Sequence, residues 1–296
     1  MMFNYKIDSL SSWGEVFQSV DAFKPMIEFI FRKHKLEFTG IENCTPGSNA
    51  VFKVGAYIVK IFAPKESTIG GEDDYYTELF GLRRANDLKV ATPKLYAYGI
   101  IEDKYRFPYL VMEHVKGESL NNKISSLTRE EKRNVGAQLR GFVENLDVEC
   151  EKFNSHVLLS SAAEERWKSM NPEFQKERKN YISNISDFHN VYIHGDLNED
   201  NIIIKEDNDI RVIDYADGYI APIEVEYACL IFDGFHFDKD CLSGFFGDYN
   251  SCDLAETCIK GLMLHDYGYN LIRDNIMEWK EISGISQLKD IILKKI

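Results

Sequence analysis

The sequence has no apolar run that approaches the ~18 residues of a membrane-spanning helix, so we expect no membrane partner. Its first residues, MMFNYKIDSLSSWGEVF, lack a charged segment followed by an apolar one, and no secretory signal is predicted. The six cysteines include no Cys-x-x-Cys pair, which argues against a zinc site and against a disulfide framework. Together these absences favour a cytoplasmic protein with reduced thiols.

Basic residues are also few: the chain has 35 Lys and Arg against 48 Asp and Glu, a net charge of −13. A nucleic-acid partner is not expected, because phosphate backbones are bound by clustered Lys and Arg. Much of the acidic excess lies in residues 206–278, which contain 16 acidic and 4 basic side chains. This segment is either a solvated acidic surface or a groove that attracts a cationic ligand.

The chain does have enough apolar sequence for a folded core, with 296 residues of which 44% are hydrophobic. Alternating apolar residues in residues 39–64 predict three antiparallel strands, and KLYAYGI and FPYLVMEHV predict two more. Helical spacing occurs in residues 21–35 and in GEDDYYTELFGLRRANDLKV. From about Gly117 onward the pattern is mainly helical, and Thr128 and Glu131 have the spacing of a capping box.

These patterns divide the chain into two parts and predict an α+β architecture. Residues 1–115 form a small antiparallel β lobe with one main helix and an N-terminal helical extension, and residues 116–296 form a larger, mostly helical lobe. Clefts between such parts commonly bind ligands.

One stretch of the predicted helical lobe, VYIHGDLNEDNIIIKEDNDIRVIDYAD, contains three short β-branched runs that predict buried strands. Polar side chains stand at the ends of these strands: His194, Asp196, Asn201 and Asp214. Phosphoryl transfer from a nucleotide needs a carboxylate near the acceptor hydroxyl and hard oxygen ligands for magnesium. Asp196 meets the first need, and Asn201 and Asp214 meet the second.

Two weaker features of the first lobe are compatible with nucleotide binding. Lys60 lies inside the apolar strand YIVKIF, where it either extends to water at a sheet edge or holds phosphate oxygens with Glu78 as its partner. The turn in TPGSNAVFKV has Gly47, Ser48 and Asn49 at its tip. Such a turn is often a plain hairpin, but its backbone N–H groups can also approach a phosphate.

HGDLNEDNIII followed by VIDYAD resembles the aminoglycoside phosphotransferase family of small-molecule kinases, which have a two-lobed, protein-kinase-like fold. The resemblance extends roughly over residues 41–249. It implies that Asp196 orients or deprotonates the acceptor hydroxyl, that Asn201 and Asp214 bind Mg²⁺, and that Lys60, paired with Glu78, contacts the α and β phosphates of ATP or GTP. A monomer or a weak homo-oligomer is expected.

The resemblance also assigns residues outside the catalytic loop. Ser48 and Asn49 belong to the phosphate turn, the Glu113 carbonyl and the Val115 N–H hold the nucleotide base, and Met112 lines the base pocket. His194 is expected to be a structural member of the loop that binds backbone near Asp214.

The sequence departs from the family pattern at several positions. Asp147 replaces a usual histidine, and Ala221 replaces an acid that often follows the second aspartate, while Glu226 takes the place of a later one. A protein kinase is disfavoured, because Asp214 is followed by Tyr-Ala and too few residues remain for a peptide-docking segment. A non-catalytic nucleotide-binding protein is the other alternative, although it would normally have lost one of the catalytic residues.

The acceptor is the most open question. The acids and aromatics of the C-terminal part suit a cationic hydroxyl compound such as an aminoglycoside, while choline, homoserine or an amino sugar remain alternatives. The candidate acceptor-binding residues are Asp217, Glu224, Glu226 and Asp233. Residues 151–188 form either a cover over the acceptor groove or a surface pair of helices that buries Trp167.

Overall fold

The computed structural model describes residues 1–45, 47–186 and 188–296, and it divides into two compact units, Met1–Lys116 and Gly117–Ile296. The predicted phosphate turn includes Pro46, and the helical insertion includes Asp187; both residues lie outside the described ones. Within the described ranges, no helix combines the length and the apolar character needed to cross a bilayer.

The first unit is built on a five-stranded antiparallel sheet in the order β1-β2-β3-β5-β4. Its strands are β1 (Ile41–Asn43), β2 (Ala50–Val54), β3 (Tyr57–Ile61), β4 (Leu95–Glu102) and β5 (Arg106–Glu113). Its helices are α1 (Leu10–Gly14), α2 (Val20–His34), α3 (Gly71–Asp87) and a 3₁₀ turn, Lys65–Ser67. The three strands and two further strands predicted from the alternating pattern are therefore present.

The core of this unit follows directly from the sequence periodicities. Alternate residues of β2 are buried, and the buried face of α2 packs with them in one cluster. Ser19 caps the start of α2, since its side chain accepts a hydrogen bond from the Ala22 N–H. The helix ends at Lys35, which adopts the left-handed conformation with φ 55°.

The N-terminal segment packs into the same core. Phe3 and Trp13 are buried in the cluster that contains Phe23 and Phe107. The Trp13 indole Nε1–H donates to the Ser48 carbonyl at 2.9 Å, which ties the segment to the turn before β2. Trp13 is thus a packing residue.

The second unit is mainly helical. Its helices are α4 (Leu120–Lys123), α5 (Arg129–Leu146), α6 (Ser161–Trp167), α7 (Pro172–Ser183), α8 (Ile223–Cys229), α9 (Lys239–Phe246), α10 (Ser251–Leu264), α11 (Gly268–Asn275) and α12 (Ile285–Lys295). Three shorter turns are the 3₁₀ segments Ile124–Ser126 and Trp279–Glu281 and the π-helical segment Leu230–Gly234. Its strands are β6 (Glu118–Ser119), β7 (Asn190–Ile193), β8 (Ile202–Ile204), β9 (Ile210–Val212) and β10 (Tyr219–Pro222).

Helices α5 and α9 approach each other closely at two glycines. A Cβ on Gly136 would lie 2.2 Å from the Cys241 carbonyl oxygen, and a Cβ on Gly244 would lie 2.1 Å from that of Arg133. The predicted capping box is present at the start of α5, with reciprocal hydrogen bonds between Thr128 and Glu131.

The three strands predicted around the catalytic motif are present, but they belong to two different sheets. β7 pairs with β10 in a two-stranded antiparallel sheet, while β8 and β9 form a three-stranded sheet with β6. The sequence patterns did not reveal β10, the short run YIAP that follows Asp217 and Gly218. It takes the hydrogen-bonding edge of β7.

The insertion between α5 and β7 contains α6 and α7 and buries Trp167 between them. The Trp167 ring stacks on Phe174 at an interplanar angle of 8°, and the Arg178 guanidinium lies 4.3 Å from its centroid. Arg178 is itself buried and donates to the Glu164 carboxylate at 2.6 Å and to the Met263 carbonyl. Trp167 and Glu164 therefore have structural contacts in the second unit.

Candidate active site

The loop between β7 and β8 is fixed by His194, the residue directly after β7. Its side chain is fully buried, and burial lowers its pKa to about 4, so the imidazole is neutral. Nδ1 accepts from the Asp196 N–H at 3.4 Å, and Nε2 donates to the Ile213 carbonyl at 3.1 Å. One imidazole thus joins the backbone at Asp196 to the backbone immediately before Asp214, in the structural role expected from the sequence.

Gly195 makes a sharp turn that no larger residue would fit. Its φ is +82°, and an added Cβ would lie 2.2 Å from the Asp217 carbonyl oxygen. The Gly195 N–H donates to the carboxylate of Glu226 at 3.0 Å. Glu226 is fully buried, so it braces the loop from beneath.

The carboxylate of Asp196 receives one side-chain amide on each oxygen. Asn198 donates to Oδ1 at 2.9 Å, and Asn201 donates to Oδ2 at 2.8 Å and also to the Asp196 carbonyl. The Asn198 side-chain oxygen in turn accepts from the backbone N–H groups of Asp200 and Asn201. Asp196 is therefore held in one orientation by residues of its own loop.

Three effects act on the pKa of Asp196. Burial is the largest and raises it; the neighbouring carboxylates of Asp217 and Asp214 add to the rise. The hydrogen bonds from Asn198 and Asn201 oppose it, and the resulting pKa is about 6. At neutral pH the group is mainly ionised, yet it is more basic than an ordinary carboxylate.

Asn201 and Asp214 supply oxygen atoms next to this carboxylate. The Asn201 amide nitrogen is engaged by Asp196, and its Oδ1 has no hydrogen bond within the described residues. The Ile213 N–H donates to the Asn201 carbonyl at 3.0 Å, which joins the two segments. Asp214 has φ +63°, a left-handed conformation that turns the chain directly after β9. Amide and carboxylate oxygens are the donors that Mg²⁺ prefers, so the residues present fit that ion.

The buried Glu226 predicts a pH-dependent difference in stability. Burial raises its pKa from 4.5 to about 7, against the opposing N–H groups of Gly195 and His194. Because the folded state holds this proton more tightly than the unfolded chain, the group stabilises the fold below pH 4.5, and that contribution is lost as the pH rises through 7. The free energy of unfolding of Glu226→Gln relative to wild type should therefore rise by up to about 3 kcal/mol between about pH 4.5 and pH 8.

Urea unfolding at the two pH values measures this difference. Glu224→Gln is the matched control, since Glu224 lies on the same helix but forms an ion pair with Lys260 at 2.7 Å. An equal effect of Glu226→Gln at both pH values would contradict the assignment.

In the first unit, Lys60 and Glu78 form a buried ion pair. The Lys60 Nζ lies 2.6 Å from the Glu78 Oε2, and the two side chains are only 9% and 2% exposed. Lys60 is in the middle of the sheet, opposite Val51 on β2 and Leu110 on β5, so it is not an edge-strand lysine. The structure thus brings together the two residues that the sequence paired.

Removal of one member of this pair should destabilise the protein. Lys60→Met leaves the Glu78 carboxylate buried without its cation, and such a loss typically costs about 3–5 kcal/mol. The double variant Lys60→Met/Glu78→Leu should recover most of that loss, while Lys53→Met, on the neighbouring strand, should have little effect. Thermal unfolding of the four proteins measures this. A double variant no more stable than the single one would contradict the role of charge compensation.

The turn before β2 and the end of β5 hold the remaining candidate nucleotide residues. Asn49 is buried and its Oδ1 accepts from the Ala63 N–H at 3.1 Å, whereas Ser48 is exposed. Met112 is buried on β5, and the Glu113 N–H donates to the Lys94 carbonyl. The Val115 N–H makes no backbone hydrogen bond within the described residues.

A cavity of about 260 Å³ lies beside the catalytic loop in the second unit. Its lining includes Asp196, Asp217, Asp233, His265, Tyr267 and Asn270. Burial raises the pKa of Asp233, and the Asn275 amide donates to its carboxylate at 2.7 Å. Two of the four acids suggested for acceptor binding, Asp217 and Asp233, are therefore at the cavity.

The other two suggested acids are elsewhere. Glu224 is paired with Lys260 and does not belong to the cavity lining. Glu226 is fully buried behind Gly195, so it has no surface that an acceptor could touch. The suggestion that Glu226 contacts the acceptor is therefore wrong, and its bracing contact replaces it.

Sequence reasoning missed several residues of this site. Asn198, which lies within the quoted motif, was overlooked although it sits two residues after the aspartate it binds. His265, Tyr267 and Asn270 carry no local signal, because they reach the cavity only through the packing of α10 and α11.

Comparisons with known proteins identify the family. Residues 46–257 match the model of the APH family, described as the phosphotransferase enzyme family, and this stretch exceeds half of the chain. No curated protein matches the sequence.

Solved structures with similar folds include the streptomycin–ATP ternary complex of APH(2″)-IIa, at a TM-score of 0.59 and 16% identity over 90% of this chain and 97% of that one. The GDP and kanamycin complex of APH(2″)-IIIa has a TM-score of 0.56 and 16% identity over 91% and 98%. The aminoglycoside phosphotransferase APH(4)-Ia has a TM-score of 0.56 and 12% identity over 91% and 98%. These likenesses confirm the predicted α+β, protein-kinase-like fold. The chain therefore belongs to the APH phosphotransferase enzyme family, whose members transfer a phosphoryl group to a hydroxyl acceptor.

Proposed function

We propose that the chain transfers the γ-phosphoryl group of ATP or GTP, in the presence of Mg²⁺, to a hydroxyl group of a small cationic acceptor such as an aminoglycoside. The observation that carries this proposal is the Asp196 carboxylate, held by Asn198 and Asn201 at the wall of an acidic cavity. Residues 116–296 would carry catalysis and acceptor binding, and residues 1–115 would bind the nucleotide.

Asp196 is proposed as the catalytic residue. It would accept the proton of the acceptor hydroxyl as that oxygen bonds to the γ-phosphorus and the bond to the bridging oxygen of the leaving diphosphate breaks. Its two amide donors fix the direction of the carboxylate, and a pKa of about 6 suits a base that must be ionised near neutral pH. Such a site contributes mainly position and charge compensation.

Asn201 and Asp214 are proposed to hold Mg²⁺ through the Asn201 Oδ1 and the Asp214 carboxylate. Mg²⁺ usually takes only one or two protein oxygens and fills the rest of its shell with water and phosphate oxygens, which two ligands satisfy. When bound, the ion would neutralise charge on the phosphates. His194 is a positioning residue for Asp196 and for Asp214, since it bonds the Asp196 N–H and the carbonyl of Ile213, the residue before Asp214.

The nucleotide-binding role is proposed for residues of the first unit. Lys60, oriented by Glu78, would contact the α and β phosphates, and the turn at Ser48 and Asn49 would offer its backbone N–H groups. For the base, the proposed contacts are the Glu113 carbonyl and the Val115 N–H, with Met112 behind them. These contacts would accept either purine nucleotide, because a main-chain acceptor and donor occur together there.

A cationic acceptor is favoured by the charge of the cavity. Asp196, Asp217 and Asp233 of its lining are acidic. The similar structures of APH(2″)-IIa and APH(2″)-IIIa hold streptomycin and kanamycin, which supports an aminoglycoside as the first acceptor to test.

A coupled assay of ADP or GDP release tests the proposal. Wild type and Asp196→Asn are compared with ATP or GTP, Mg²⁺ and a panel of kanamycin, streptomycin, choline, homoserine and glucosamine. Acceptor-dependent release with an aminoglycoside, lowered about 10²- to 10⁴-fold in Asp196→Asn, is the expected result. Release only with choline, homoserine or glucosamine would retain the kinase and reject the aminoglycoside. Bound nucleotide without release on any acceptor would reject the catalytic proposal.

A further inference from the structure

The segment that joins α10 to α11 forms part of the cavity wall and carries two buried polar groups. His265 is the residue that ends α10, and Asn270 lies in the first turns of α11. Both side chains line the cavity beside Asp196. Neither has a role in the reaction described above.

The proton on the His265 imidazole is fixed by a backbone contact. Nδ1 accepts a hydrogen bond from the Tyr267 N–H at 2.9 Å, so this nitrogen carries no proton. Burial lowers the pKa of His265 to about 4, and the positive charge of Arg166 acts in the same direction. The ring is therefore neutral, and its one N–H is at Nε2.

That Nε2–H has no hydrogen-bond acceptor within the described residues, although the side chain is only 3% exposed. The Oδ1 of Asn270 is likewise buried without a partner in the part of the chain that the structure describes. Buried polar groups are nearly always satisfied, and those that are not call for an explanation such as a ligand. The two residues that carry this unused donor and this unused acceptor both line the same cavity.

We propose that His265 and Asn270 form a subsite that binds a second hydroxyl of the acceptor, one that does not receive phosphate. This inference rests on the proposed function and adds a specificity to it. The hydroxyl would accept from the His265 Nε2–H and donate to the Asn270 Oδ1. An ammonium group cannot accept from Nε2–H, and a carboxylate would be repelled by Asp217 and Asp233. The subsite therefore selects polyhydroxylated amines over choline, which has a single hydroxyl.

Two variants of His265 separate the pocket donor from the backbone contact. In His265→Asn, the side-chain oxygen takes the place of Nδ1 and can accept the hydrogen bond from the Tyr267 N–H. The shorter side chain has no group at the position of Nε2. His265→Gln restores an N–H donor near that position. His189→Asn is the matched control, because His189 is an exposed histidine of the same unit and does not line the cavity.

With kanamycin as the probe, His265→Asn should raise the KM for kanamycin about 5- to 10-fold and leave the KM for ATP unchanged. His265→Gln should lie closer to wild type, and His189→Asn should equal it. A parallel ¹⁵N-histidine NMR titration of the unmodified protein should show the His265 Nε2–H signal, identified by its loss in His265→Gln, move as kanamycin is added. This second readout does not depend on the folding of His265→Asn.

Each outcome has a distinct meaning. Phosphorylation of kanamycin with an unchanged KM in His265→Asn overturns the subsite and leaves the proposed function intact. Movement of the His265 signal without phosphate transfer supports the subsite and overturns the aminoglycoside reaction. Kanamycin that neither shifts the signal nor receives phosphate overturns both.

Discussion

Replacement of Asp196 by asparagine is expected to lower turnover by about 10²- to 10⁴-fold while nucleotide affinity stays nearly constant. The substitution removes the charge that orients and deprotonates the acceptor hydroxyl but retains the size of the side chain. Either Asn198 or Asn201 could keep its hydrogen bond to the amide oxygen of the new residue, while the other would face the new NH₂ group. The fold of the loop should survive, because His194, Gly195 and Glu226 hold its backbone independently.

Steady-state kinetics and a nucleotide-binding titration measure the two halves of this expectation. Asp207→Asn is the matched control. Asp207 is an exposed aspartate of the same unit, and its carboxylate forms an ion pair with Lys205. Full activity in Asp196→Asn would show that another group acts as the base. Loss of nucleotide binding together with turnover would show that Asp196 serves the nucleotide rather than the acceptor.

The second large effect is expected for Asp214→Asn. Asparagine tolerates the left-handed conformation found at this position, so the turn after β9 should keep its geometry. What is lost is a charged oxygen ligand. Loss of a residue that only hydrogen-bonds to a metal ligand typically lowers metal affinity ~10–100-fold. Because Asp214 is proposed to be a ligand itself, the Mg²⁺ concentration needed for half-maximal nucleotide binding should rise by at least that factor.

Titration of nucleotide binding at several Mg²⁺ concentrations measures this shift. The control is Asp209→Asn, an exposed aspartate next to β9. If Asp214→Asn bound nucleotide with wild-type dependence on Mg²⁺, the metal role would be wrong. If it lost nucleotide binding equally with and without Mg²⁺, the aspartate would act on the turn instead.

Much of the fold could be predicted from the sequence because its signals are local. The alternation in β2, the helical spacing of α2 and the capping box of α5 each depend on residues within a few positions of one another. The loop geometry around Asp196 is similarly local, since its two amide donors are two and five residues away.

The features that could not be predicted depend on contacts between distant segments. Strand β10 was not anticipated, because its short run is stabilised by pairing with β7 rather than by its own pattern. Glu226 was considered for the acceptor because a glutamate on an acidic segment gives no sign of its burial. Its position behind Gly195 follows from the packing of α8 against β7.

The same limit applies to His265 and Asn270. A histidine after an apolar helix is an ordinary sequence feature, and only the hydrogen bond to the Tyr267 N–H reveals which ring nitrogen carries the proton. The chemistry of a cavity wall therefore depends on tautomers and burial, which no residue spacing encodes.

The distribution of tryptophan offers a spectroscopic use of this architecture. Trp13 is buried in the first unit, while Trp167 is buried in the second and Trp279 is half-buried there. Trp167→Phe/Trp279→Phe would leave a single emitter whose indole is bonded to the Ser48 carbonyl, and Trp13→Phe would leave only emitters of the helical unit. Fluorescence during denaturation would then report on each unit separately, and two different midpoints would reveal that the lobes unfold independently.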